Sequence, residues 1–259
     1  MPSIARRLAL AAALALAPHI AHAQSDVPVI AGASDLKFAL EEIASTFEAS
    51  GHGRVRLSMG SSGNITRQIE QGAPYQMFLS ADEGFVFRLA DQGLTRDRGD
   101  LYAIGRIVIF IPPQSDLQPD GSLANLRQAL AVNAVRRFAI ANPEHAPYGV
   151  AAMQALKHQG LWEAIRPALV LGENVSQAAQ FATTGNSQGG IIAYSLALAP
   201  AMKPLGRFEL IPDAWHEPLR QRMVLLRNAG PVAQRFYAFM QERPARQIMV
   251  RYDFVLPGE

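Results

Sequence analysis

From Val27 onward, short apolar runs alternate with amphipathic segments, and each joint is a small polar or glycine turn. Val27 to Ala31 is a short apolar run ending at a glycine, the pattern of a buried strand. Leu36, Ala39, Leu40, Ile43, Ala44 and Phe47 then recur three and four apart, one face of a helix whose natural N-cap is Ser34 or Asp35. Arg54, Val55, Arg56 and Leu57 alternate as a strand does. Ile65 and Ile69 mark a second helix that stops at Gly72, and Tyr75 to Asp82 reads as a third strand. The order β-α-β-α-β predicts a parallel sheet with helices on its faces, because parallel neighbours need a crossover between them.

Further along, Ala103 to Pro113 reads as one long apolar strand closed by two prolines. "RRFAIANPEHAPYG" is a strand running into a proline-rich turn, and "VAAMQALKHQGLW" is a helix ending near Gly160. "ALVLGENVSQAAQFATTGNSQGGIIAYSLA" gives strand, loop, helix, glycine-rich turn and strand. "RQRMVLLRN" is a late strand, and the segment from Pro231 reads as helical almost to the end.

The first residues have a different character. Arg6 and Arg7 precede the apolar run Leu8 to Ala17, and Ala21-His22-Ala23 is a small-residue cleavage signal. This is the pattern of a secretory signal peptide spanning residues 1–23, cleaved after Ala23; the run is shorter than the ~20 residues of a spanning helix. Of the 24 basic residues only Arg6 and Arg7 lie there, so the remainder carries 22 basic and 22 acidic residues and no formal net charge. With no basic run, a nucleic-acid partner is not expected. The chain has no cysteine, so an exported form folds without disulfides and relies on its core. With 49% apolar and 18% charged residues, that core can be substantial.

The recurring joint carries the chemistry. Strand, small turn and helix meet at Ala31 to Leu36, at Met59 to Ile65 and, with prolines, at Ala141 to Val150. Open α/β sheets bind ligands beyond the carboxyl ends of their strands, where helix N-termini present free N–H groups and partial positive charge. Several such ends facing one cleft hold an anion without a lysine. Any one of these serines also suits plain helix capping. Other chemistries have thinner support. "GSSG" is one residue too short for a G-x-S-x-G elbow, so a secreted serine hydrolase using Ser62 with His145 or His216 lacks its motif. No zinc-hydrolase or phosphate-loop motif occurs, and no cofactor is expected. Arg67, near the "GSSG" turn, is the one candidate for a carboxylate ligand and otherwise a surface residue.

"AGASDLKFALEEIASTFE", "GSSGNITRQIEQGAPYQMFLSAD", "YAIGRIVIF", "IANPEHAPYGVAAMQAL" and "GENVSQAAQFATTGNSQGGIIAYSLA", in this order, resemble the periplasmic molybdate-binding proteins of ABC importers. The resemblance runs from about Val29 to the terminal "FVLP". It implies a class II periplasmic binding fold: two α/β lobes, each a mostly parallel sheet flanked by helices, joined by two crossings. The first lobe would comprise residues 24–105 and 213–259, the second 106–212. It further implies a monomeric receptor, not an enzyme, that takes molybdate or tungstate between the lobes and hands it to an inner-membrane ABC permease. Carried over one at a time, the family's ligand positions fall on the hydroxyls of Ser34 and Ser62 and the main-chain N–H groups of Tyr148 and Val175. A later-strand tyrosine falls nearest Tyr194, although Ala193 aligns equally well. Where other members carry asparagine or an apolar residue, this chain has Asp35. Either Asp35 caps its helix and turns away, or it accepts a hydrogen bond from a protonated ligand. The second reading makes phosphate the alternative, with sulfate a further tetrahedral candidate, because molybdate, tungstate and sulfate carry no proton at neutral pH.

Overall fold

Ile30 and Ala31 are neighbours in β1 (Val29–Ala33), yet they pack into different cores, as the two-residue period of a strand requires. The same split separates Met77 and Leu79 from Phe78 in β3 (Tyr75–Ser80), so this sheet is covered on both faces. One face carries α1 (Lys37–Ala49) through Leu40, Ile43 and Phe47, together with α9 (Pro231–Phe239) and α10 (Arg243–Arg251). The other carries Ile65 and Ile69 of α2 (Ser62–Glu70) and Val86 and Leu89 of α3 (Glu83–Asp91). The structure, a computed structural model, describes residues 27–184 and 187–258; the expected signal peptide lies outside them.

This first sheet has the order β2-β1-β3-β10-β4, with β2 at Arg56–Gly60, β4 at Asp100–Gly105 and β10 at Leu219–Leu225. β1 pairs in parallel with β2 and β3, and β10 runs antiparallel between β3 and β4. A second sheet has the order β7-β6-β8-β5-β9. Its strands are β5 (Ile107–Ile111), β6 (Phe138–Ala141), β7 (Leu169–Gly172), β8 (Gly189–Ala193) and β9 (Arg207–Leu210). β6 is parallel to β7 and β8, and β5 is antiparallel to β8 and β9. Helices α4 (Ala124–Ala131), α5 (Pro147–His158), α6 (Trp162–Ile165), α7 (Val175–Thr183) and α8 (Tyr194–Ala197) connect these strands. Both sheets are thus mostly parallel with one reversed strand, as expected for a two-lobed α/β fold.

Two elements differ from the sequence reading. The run from Ala103 is not one strand: Gly105 pairs with Leu219 in the first sheet, and Ile107 pairs with Ala193 in the second. Gly105 and Arg106 interrupt the apolar run at the change of sheet, but a two-residue interruption in an extended segment does not by itself separate two strands. The C-terminal helix is two helices, α9 and α10, parted at residues 240–242. Pro244 explains the break. It fits the first turn of α10, but inside a continuous helix it would remove a hydrogen bond and push the preceding residue out of helical conformation. Among the described residues, no helix is long and apolar enough to cross a membrane.

Candidate functional site

Neither Ser34 nor Asp35 caps α1. With Leu36 they form a short 3-10 turn at the end of β1, α1 begins only at Lys37, and no side chain caps either element. Both side chains are released from capping and yet buried, at 3% and 1% exposure. At the second joint the two serines divide the work. Ser61 is the cap of α2, its Oγ accepting the Asn64 N–H at 3.4 Å. Ser62, the first helical residue, accepts the Ala81 N–H at 2.9 Å and keeps its own hydroxyl proton to donate.

The second sheet supplies two more helix starts. α5 opens with Pro147, whose missing N–H costs a first helical position nothing, so Tyr148 carries the next free amide. α7 opens with Val175 behind Asn174, whose Oδ1 accepts the Gln177 N–H at 3.0 Å. Amides in a first turn have no intrahelical partner. Ser34, Asp35, Ser61, Ser62, Tyr148 and Val175 line one small cavity, with Ala33, Gly60, Ala81, Ala146 and Pro147 between them. Its volume is only about 10 Å³. Its lining includes no lysine, arginine or histidine, and Asp35 is its one ionisable carboxylate.

Hydrogen bonds between the two sheets' elements close over this cavity. Ser176 donates its N–H to Ser34 Oγ at 3.3 Å and its hydroxyl to the Ser34 carbonyl at 2.7 Å. Ser195 donates to the Asp35 carbonyl at 2.9 Å, and the Gly63 N–H donates to the His145 carbonyl at 3.0 Å. Ser61 Oγ lies 3.0 Å from His145 Nδ1, while His145 Nε2 lies 3.6 Å from the exposed Glu173 carboxylate. The histidine therefore pairs with the capping serine, and Ser62, the nucleophile of the hydrolase alternative, is engaged with Ala81 instead. His216 turns its Nδ1 to the Glu217 carbonyl at 2.8 Å.

Asp35 caps no helix. Its Oδ2 accepts the Tyr148 hydroxyl at 3.1 Å and the Gln221 amide at 2.8 Å. Its Oδ1 is buried without a hydrogen-bond partner. Burial pushes the carboxyl up to about 6, against the lowering effect of the Gln221 and Tyr148 hydrogen bonds and of the nearby Asp35 and Leu36 backbone N–H groups. Gln221 also donates to Tyr148 at 3.0 Å and accepts the Tyr102 hydroxyl at 2.7 Å. Burial, reinforced by the Asp35 charge, holds both phenols well above the ordinary tyrosine range.

Five of the six residues singled out in the sequence thus meet at one cavity. Tyr194 lies outside the lining: its N–H donates to the Arg106 carbonyl at 3.0 Å, and its ring packs 5.7 Å from Phe208 beneath the Arg106 guanidinium. Arg67 is exposed and bonds to Asn64. Sequence reasoning missed the Tyr148 phenol, Ser176, Ser195 and Gln221. Of these Gln221 left a signal, since it falls between Leu219 and Met223 on the buried side of an alternating strand.

The chain matches the model of the bacterial extracellular solute-binding protein family over residues 28–255. It is 31% identical to the molybdate-binding protein ModA of Rhodobacter capsulatus, over 98% of this chain and 98% of that protein. Its fold superposes on the periplasmic molybdate-binding protein of Azotobacter vinelandii with a TM-score of 0.79 and 31% identity, covering 89% of this chain and 99% of that one. The sulfate-binding protein SubI of Mycobacterium tuberculosis shares the fold at a TM-score of 0.70 and 14% identity, over 90% of this chain and 87% of that one.

Proposed function

The chain belongs to the bacterial extracellular solute-binding protein family, and from that premise we propose that it is a periplasmic receptor that captures molybdate or tungstate and delivers it to an ABC permease. The observation that carries this reading is the cavity itself: hydroxyls and helix-start amides from two sheets converge on one small space whose lining has no cation. A tetrahedral dianion fits that chemistry. Each hydrogen bond to a charged group contributes about 1.5–3 kcal/mol net, and several replace the ion's hydration shell. Ser34 and Ser62 donate hydroxyls, and Tyr148 and Val175 donate main-chain N–H groups from the positive ends of α5 and α7. The first lobe is residues 24–105 with 213–259, the second is 106–212, and the crossings at Arg106 and between β9 and β10 act as hinges. Closing the lobes removes water from the ion and strengthens each of these contacts. The receptor works as a monomer after its signal peptide is cleaved, and it turns nothing over.

The likeness to the sulfate-binding protein at 14% identity carries the fold alone, so the anion is chosen by the site. Calorimetry on the purified mature protein should give tight binding of molybdate and tungstate and weak binding of sulfate. Ser62→Ala should weaken molybdate binding roughly 10- to 100-fold through loss of one charged hydrogen bond. Equal affinity for phosphate, or molybdate affinity untouched by that substitution, would overturn the assignment.

A further inference from the structure

The proposed oxyanion cavity contains a carboxylate, and nothing described so far uses it. Asp35 is 1% exposed and lines the cavity, its Oδ2 is occupied by two donors, and its Oδ1 has no partner. Asp35 belongs to the same lining, so a dianion held among these donors lies beside its carboxyl. If the carboxylate is ionised, two negative charges share a cavity with no cation in its lining. If Oδ1 carries a proton, the same atom becomes one more donor. Resting on the receptor reading above, we propose that Asp35 makes capture proton-coupled: the protein takes up one proton on Asp35 Oδ1 for each tetrahedral dianion it binds, and that O–H donates to the ion.

The elements packed around Asp35 present hydroxyls and phenols to it. α5 presents the Tyr148 phenol, and β4 presents the Tyr102 phenol through Gln221 of β10. Both phenols stay protonated through the neutral range. α8 presents the Ser195 hydroxyl to the Asp35 carbonyl, and α7 presents Ser176 to Ser34. The charged groups of the adjoining elements are engaged elsewhere. Lys37 at the start of α1 lies 5.5 Å from the Phe38 ring, Arg106 pairs with Asp253, and His145 is held by Ser61 and Glu173. Burial already raises the Asp35 carboxyl to about 6, so one proton suffices to neutralise the site at neutral pH. Bond and charge balance follow simply: a solvent proton joins Oδ1, the carboxylate loses its charge, and the anion keeps its two.

The test is calorimetric titration of sodium molybdate into the wild type at about pH 8, in buffers of differing ionisation enthalpy, with affinity followed from about pH 6 to pH 8.5. The expected result is uptake of close to one proton per molybdate and an affinity that falls about tenfold per pH unit above neutrality. Asp35→Asn, which offers an amide donor in place of the acid, should show no proton uptake and an affinity flat with pH. Tight wild-type binding without proton uptake and without pH dependence would overturn the proposal while leaving the receptor reading intact. Absence of molybdate binding by the wild type at every pH would overturn the receptor reading itself, and this inference with it.

Discussion

At the residue scale, Asp35 also makes a claim on stability. Its carboxyl is raised in the folded protein to about 6 from an ordinary value of 3.8. The folded state therefore holds a proton that the unfolded chain has already released between those two pH values. The resulting stability is fully present below about pH 4 and is lost as pH rises through about 6. Near pH 8 the ionised, buried Asp35 costs about 3 kcal/mol, from roughly two pH units at 1.36 kcal/mol each. An asparagine keeps an oxygen to accept from Tyr148 and Gln221 and has no charge to desolvate. Thermal unfolding without ligand should therefore find Asp35→Asn several degrees more stable than wild type near pH 8, with the gap roughly halved near pH 5 and gone below about pH 4. An equal gap across this range would place the effect outside Asp35 ionisation.

At the scale of elements, the critical approach is that of α2 to the turn before α5. The Gly63 N–H donates to the His145 carbonyl at 3.0 Å, and a Cβ at Gly63 would lie 2.7 Å from that same backbone oxygen. Backbone on one side and a helix on the other leave no side chain to give way. Within α2 alone, alanine is the better helix former by roughly 1 kcal/mol. Gly63→Ala should therefore spare the first lobe's helix and hinder closure. Molybdate affinity should fall at least about tenfold, and the radius of gyration in molybdate should stay above that of the wild type by small-angle scattering. A variant that binds and contracts normally would show that this close approach is dispensable.

For the whole molecule, the cavity is the meeting place of two sheets, so ligand and closure stabilise one another. Hydrogen bonds across the cleft join Ser34 to Ser176, Asp35 to Ser195 and Gly63 to His145. An ion bound between the lobes adds its free energy to the folded state by mass action, about 2.7 kcal/mol at 100 times its dissociation constant. For a chain of this size that corresponds to a rise in Tm of roughly 5–10 °C. Differential scanning calorimetry should show this rise with molybdate, growing with the logarithm of its concentration, and little change with sulfate at the same concentration. Equal rises with both would show that the closed cavity does not discriminate between them.

Much of this was legible along the chain, because its signals are local. Leu40, Ile43 and Phe47 announce a helix by their spacing, and the glycine and serine joints mark where strands end and helices start. Local signals also mislead in identifiable ways. Ser34 and Asp35 have the composition of a cap, but a 3-10 turn displaces the start of α1 to Lys37 and frees them. Tyr194 follows the right strand and points instead to Phe208 and Arg106. Periodicity and turn chemistry by themselves determined the β-α-β-α-β order of the first joints and the kind of donor each joint offers, but not the change of sheet at Arg106 or the break between α9 and α10. Which helix ends face each other, and which carboxylate oxygen is left without a partner, only the tertiary structure decided. Those contacts join residues 113 and 186 positions apart, Asp35 to Tyr148 and Asp35 to Gln221, and no window along the chain spans them.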